Sequence, residues 1–131
     1  MTGTGIAAPA EEIIRFGPGG ELSVELTCGE AQMGTYTLRL WTPDGLTVVR
    51  KARGSFVDEV EDRYALLSPA DANAEHLLQC RARVWLIQGN RKYAVFMTVK
   101  QGDAVIGEVR EVDKTDEATV MVELRARLRR A

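Results

Sequence analysis

The chain has 131 residues, enough for one domain with its own hydrophobic core, and at 45% hydrophobic and 27% charged residues its composition is that of a folded globular protein rather than a disordered one. A formal net charge of −2 argues against nucleic acid as partner, and no stretch approaches the ~20 apolar residues of a membrane helix, so no membrane partner is expected. Two cysteines and a single His exclude a structural zinc site, and no phosphate-binding glycine loop or other cofactor motif is present.

Residues 1–10 have neither the basic nor the apolar region of a secretory signal and read as a flexible lead-in to one domain over 11–131. With the initiating Met, this start points to a cytoplasmic protein. Apolar residues then recur with period two, the strand signal. Residues 12–16 suggest a short strand, followed by the turn cluster Gly17-Pro18-Gly19-Gly20. The next strand, 21–28, puts Leu22, Val24, Leu26 and Cys28 on one face. Strand 35–41 buries Tyr36, Leu38 and Leu40. Thr42-Pro43-Asp44-Gly45 then predicts a tight turn, since Pro presets φ and Gly accepts a left-handed backbone, and 46–53 should return antiparallel. Residues 54–60 are less regular, and 68–76 reads as a loop with one helical turn.

In the second half, strands 77–88 and 91–100 flank Gly89-Asn90, a hairpin signal. A two-residue connection would set Leu86 opposite Tyr93, Val84 opposite Val95, Ala82 opposite Met97 and Cys80 opposite Val99, all in one apolar phase. Gln101-Gly102-Asp103 makes the next turn; a three-residue loop is favoured because it sets Val99 opposite Val105, Met97 opposite Gly107 and Val95 opposite Val109. Asp113-Lys114-Thr115-Asp116 turns again into a last strand, 118–128, with Val120, Val122, Leu124, Ala126 and Leu128 in phase. About eight strands follow, the last four as a meander. One face of each is apolar, so a second sheet must cover it: the expected fold is all-β, a two-sheet antiparallel β-sandwich, with a small closed barrel as the alternative.

The order Cys28, Trp41, Cys80 is similar to the Cys…Trp…Cys pattern of immunoglobulin domains. The chain departs from that family where it has a Tyr two residues before the second Cys, for here that residue is Leu78, and some fifty residues follow Cys80. An immunoglobulin-like architecture is retained, not membership. Both cysteines lie on apolar faces and read as buried small hydrophobes.

Four polar features could carry chemistry, and each has a plainer reading. The acidic run Asp58-Glu59-Val60-Glu61-Asp62 is sequential rather than convergent, and reads as a solvated loop. Asp71, Asn73 and Glu75 imitate the start of a calcium loop without its Gly or distant Glu. His76 has no context that recruits a nucleophile and reads as a loop His with a local hydrogen bond. The basic tail Arg125, Arg127, Arg129, Arg130 reads as a charged strand edge.

One surface is less easily explained. Opposite the core phase of the Gly89-Asn90 strands lie Arg81, Arg83 and Trp85, with Phe96 on the partner; Arg39 and Trp41 are likewise off the core phase of their strand. Trp and Arg are the residues enriched at interface hot spots. The sequence therefore suggests a non-enzymatic binding or assembly module using Arg39, Trp41, Arg81, Arg83, Trp85 and Phe96, with a protein partner or a second copy of itself. The terminal strand offers a further route, by edge pairing. The alternative is a small-ligand or carbohydrate binder with Trp41, Trp85 and Phe96 as an aromatic platform.

Overall fold

The computed structural model describes residues 10–56, 62–87, 89 and 91–131. These form nine strands: β1 (Glu11–Phe16), β2 (Leu22–Gly29), β3 (Met33–Trp41), β4 (Val48–Phe56), β5 (Asp62–Ala65), β6 (Leu77–Trp85), β7 (Lys92–Gln101), β8 (Ala104–Lys114) and β9 (Thr119–Arg130). Two sheets pack face to face, one ordered β1-β9-β6-β3-β4 and the other β5-β2-β7-β8. The fold is the expected sandwich and not a closed barrel. Most neighbours are antiparallel, but β1 lies parallel to β9. Nothing of the 1–10 lead-in except Ala10, and nothing of the acidic run except Asp62, falls within the described residues.

The alternation of each strand explains the core. Val24, Leu26, Val95, Met97 and Val99 from one sheet meet Leu40, Leu78, Val84, Ala126 and Leu128 from the other, all at most 1% exposed. Burying such side chains supplies about 1.5–3 kcal/mol each before conformational entropy is charged against it. Cys80 is fully buried among them and Cys28 half-buried; both are free thiols. Burial pushes the Cys28 thiol up to about 11 and the Cys80 thiol up to about 12, so both stay protonated and poorly nucleophilic near neutrality.

Two contacts hold the sheets' margins together. The Tyr36 ring passes over Gly54, where an added Cβ would lie 2.2 Å from the phenol oxygen. Its hydroxyl donates to Asp62 and shares a hydrogen bond with Tyr64, both on β5 of the other sheet. Burial and these partners raise the Tyr36 phenol well above its usual value. At the opposite margin, a Cβ on Gly107 of β8 would stand 2.8 Å from the Ile14 side chain of β1.

The β3–β4 hairpin forms as expected: Gly45 takes φ +75°, its N–H donates to the Thr42 carbonyl, and Thr42 N–H donates to Thr47. The loop before β6 contains the expected turn, a 3-10 segment over Ala70–Asn73. The hairpin expected at Gly89-Asn90 does not form. Strand β6 lies between β3 and β9, whereas β7 lies between β2 and β8. Gln88 and Asn90 are outside the described residues, but around them the chain crosses between sheets: Leu86 N–H donates to Ala118, and Arg91 adopts φ +58°. The four apolar pairs read from that hairpin are all buried, but across the core rather than side by side. Two strands facing each other across a sandwich need the same phase as two strands bonded in one sheet, so the pattern could not separate them.

The expected meander fails for the same reason at β8 and β9, which lie in different sheets. The β7–β8 hairpin is real. Its loop is two residues, with Gln101 opposite Ala104, and Ile106 bulges so that Val99 meets Gly107 and Met97 meets Val109. The bulge restores the phase that a three-residue loop was invoked to provide, displaced by two residues. Finally, β9 is no free edge: β6 flanks it on one side and β1 covers Arg125–Arg130 on the other, so the expected edge pairing of the terminal strand is blocked there.

Candidate functional site

The outer face of the five-stranded sheet gathers most of the singled-out residues. Pairing of β3 with β6 sets Arg39 beside Gln79, Trp41 beside Leu77, Thr37 beside Arg81, Thr35 beside Arg83 and Met33 beside Trp85. On the other flank of β3, β4 sets Lys51 beside Arg39, Arg53 beside Thr37 and Ser55 beside Thr35. The short side chains of Thr35 and Thr37 thus form a floor. Arg53 on one side and Arg81 and Arg83 on the other are exposed, long side chains standing as walls. Arg39 closes one end. The result is an open trough along β3, about 460 Å³ in volume. Walls on next-nearest strands are ~10 Å apart at their Cα atoms, two inter-strand spacings.

Five of the six expected surface residues, Arg39, Trp41, Arg81, Arg83 and Trp85, therefore share one face. Phe96 does not. It points outward from β7 on the other sheet, half-buried beside Ala94 and Val112 in a separate shallow depression of about 490 Å³. Nor do the two tryptophans meet. Trp41 lies beside Leu77 and Trp85 at the far end of the same strand, some eight residues or ~27 Å along. The aromatic platform of Trp41, Trp85 and Phe96 is not assembled.

The two ends of the face differ in character. At the Trp41 end, the indole Nε1 donates to Gln79 Oε1 at 2.9 Å, and Leu77 is buried despite its outward phase. Gln79 in turn donates to Glu123. This tryptophan is tied into the sheet. At the other end, Met33, Trp85 and Met121 are 43%, 39% and 59% exposed; Met33 pairs with Trp85, and Met121, opposite Arg83, is diagonal to Trp85. An apolar patch thus borders the open end of the trough.

Further along, β9 carries a run of arginines in engaged positions. Arg127 holds Glu11 in a two-pronged bond at 3.0 and 3.1 Å and caps the Glu75 and Pro43 carbonyls at 2.9 and 3.2 Å. Arg129 grips the Glu75 carboxylate at 2.9 and 3.0 Å, and Arg130 pairs with Asp71. Hydrogen bonding from Arg127 holds Glu11 below the usual carboxylate value, as Arg129 does Glu75. Desolvation raises Glu123, but hydrogen bonds from Arg81 and Gln79 outweigh it and leave its carboxyl below the ordinary value. The calcium-like triad is thereby accounted for: Asp71 and Glu75 are spent on arginines, and buried Asn73 staples the loop through Leu67 and Ala70. His76 makes the expected local contact, Nδ1 to the Ala74 carbonyl at 3.1 Å. Among the described residues no group of His, Cys, Asp and Glu could hold a metal ion, and no helix is long and apolar enough to cross a membrane.

Against this, Arg39, Arg53 and Arg83 have no carboxylate partner among the described residues. Arg81 shares Glu123, at 2.9 Å, with Arg125 at 3.6 Å. The sequence reading missed Lys51, Arg53, Thr35 and Thr37. Counting outward along the hairpin from Thr42-Pro43-Asp44-Gly45 would have found Arg53, but the bulge between Leu40 and Trp41 shifts that count by one.

No family model, curated protein or solved structure matches this chain.

Proposed function

We propose that the protein is a non-enzymatic binding module whose working surface is the outer face of the five-stranded sheet, and that its partner is an acidic protein segment with an apolar anchor. The observation that carries the reading is the concentration of Arg39, Arg53, Arg81 and Arg83 around one trough, where among the described residues only Glu123 is paired with one of them. A protein whose net charge is −2 spends these cations on one face. Like charges so placed repel one another, and a complementary anionic partner relieves that repulsion while steering association. The patch of Met33, Trp85 and Met121 at the open end offers desolvated area for an apolar side chain, the arrangement in which Trp and Arg become hot spots. A second copy of the chain is the homotypic form of the same reading. The saccharide reading has less support, since its three aromatic residues stand apart.

The test is a titration with a peptide alternating Glu and Leu, read by Trp85 fluorescence in a Trp41→Phe background, beside mass by light scattering. Saturable quenching is expected, weakened about tenfold or more by Arg83→Glu and by Trp85→Ala. A homodimer that dissociates in the same two variants would assign the surface to self-association. If the wild type neither binds the peptide nor self-associates, or if both variants behave as wild type, the reading fails.

A further inference from the structure

Resting on that reading, we propose that the trough along β3 is a site for a tetrahedral oxyanion of the phosphoryl type, seated over Thr35 and Thr37 and held by Arg39, Arg53 and Arg83. The first reason is stoichiometry of charge. An Asp or Glu side chain brings one negative charge, enough to neutralise one guanidinium. Three arginines without a described carboxylate partner surround the same floor, with Arg81 as a fourth cation partly satisfied by Glu123. A phosphoryl group brings ~1.5–2 negative charges and three acceptor oxygens, and so can engage several guanidiniums at once.

The second reason is shape. The walls stand on two strands that flank β3 on opposite sides, so guanidiniums approach the floor from two directions. A tetrahedral group accepts hydrogen bonds from both directions, whereas a flat carboxylate directs its oxygens along one edge. The floor residues are hydroxyl donors with short side chains, Thr35 exposed and Thr37 half-buried, which leaves depth for the anion. The third reason is contrast with the rest of the surface. Arg63, Arg81, Arg125, Arg127, Arg129 and Arg130 each have a carboxylate of this chain among their described partners; Arg39, Arg53 and Arg83 have none, as Arg15, Arg50, Arg91 and Arg110 have none, but only those three line one trough together.

Two sources share this chemistry: a phosphorylated side chain on the protein partner, and free inorganic phosphate. They are separated by NMR titration of the whole chain at constant ionic strength, following the Thr35 and Thr37 amides and the arginine Nε signals. Three probes are used: inorganic phosphate, a phosphoserine-containing Glu/Leu peptide, and the same peptide with Glu in place of phosphoserine. Inorganic phosphate should shift the trough signals saturably, and Arg53→Gln with Arg83→Gln should weaken it about tenfold or more, with unfolding curves superimposable on wild type. Arg110→Gln, on the other sheet, should leave phosphate binding unchanged. A phosphopeptide binding at least about tenfold tighter than phosphate and than the Glu peptide assigns the group to a protein partner; equal affinity for phosphate and phosphopeptide assigns it to the free ion. Both results uphold the site.

Shifts that rise linearly without saturating overturn the proposal, as do equal shifts at Arg63 and Arg110 on the other sheet, or binding indifferent to the double substitution. If the Glu peptide binds and phosphate does not, this inference falls while the protein-partner reading stands. If phosphate binds and neither peptide does, the partner reading falls and the oxyanion site stands.

Discussion

Two sets of arginines sit on the five-stranded sheet, and they differ in what neutralises them. Arg127, Arg129 and Arg130 at the end of β9 are each matched to a carboxylate from another part of the chain: Glu11 on β1, Glu75 before β6, and Asp71 in the 3-10 turn. Arg39, Arg53 and Arg83, on the adjacent strands β3, β4 and β6, have no such partner among the described residues. The first set ties together elements that are remote in sequence, and its geometry explains why β1 can lie parallel against the last strand. The second set has no such tie among the described residues. Charge that serves the fold is paired within the chain; on the proposed reading, the charge gathered in the trough serves something outside it.

The sharpest way to break this contrast is to delete one arginine from each set and compare stability. Arg127→Ala strips Glu11 of a two-pronged partner and uncaps the Pro43 and Glu75 carbonyls. Partly exposed, this network should cost about 2 kcal/mol in urea unfolding. Equal losses from Arg127→Ala and Arg83→Ala would show that the two sets do not differ.

Acid should act on arginines paired with carboxylates and not on Arg39, Arg53 and Arg83. Glu11 and Glu75 are both held below the ordinary value of 4.5 by arginine hydrogen bonds. A carboxylate depressed in the folded state contributes stability above its unfolded value, and that contribution is lost as pH falls through the lower folded value. The unfolding midpoint should therefore drop as pH goes from about 5 to about 3, and the drop should be shallower in a Glu11→Gln, Glu75→Gln protein. Parallel curves for the two proteins would remove these pairs from any role in acid stability.

The smallest expected effect is in the trough. Arg39→Ala, Arg53→Ala and Arg83→Ala should each shift unfolding by less than about 0.5 kcal/mol, because Arg53 and Arg83 are exposed, Arg39 is half-buried, and none has a carboxylate partner among the described residues. Removing mutual repulsion could even make the change slightly stabilising. A loss well beyond that from any of the three would reveal a structural partner and weaken the case for a binding surface.

Much of the fold was legible because strand alternation reports which side chains face a core. Tyr36, Leu38, Leu40, Val84, Val95, Met97, Leu124 and Leu128 were all assigned inward from period two alone, and all are buried. The outward phase of Arg39, Arg81, Arg83 and Trp85 follows from the same count. Short-range turn chemistry was also readable where the loop residues themselves dictate φ, as at Pro43, Asp44 and Gly45. Strand β5 was missed: four residues bracketed by irregular chain offer too short an alternation to stand out.

Which strands are neighbours was decided only in three dimensions. Leu77 to Trp85 and Lys92 to Gln101 alternate in a common phase whether they pair or face each other across the core, so no reading of those segments separates a hairpin from an arch. That ambiguity carried Phe96 to the wrong face; the register of β3 on β6 separates Trp41 from Trp85, and the bulge in the β3–β4 hairpin hid Arg53, whose place beside the β6 arginines depends on β3 lying between them. The sequence by itself determined the sandwich, its core and the side of each strand that meets water, because burial acts on each residue locally. The trough exists only because long-range pairing brings β4, β3 and β6 side by side, and pairing of that kind is a property of the assembled core rather than of any one segment.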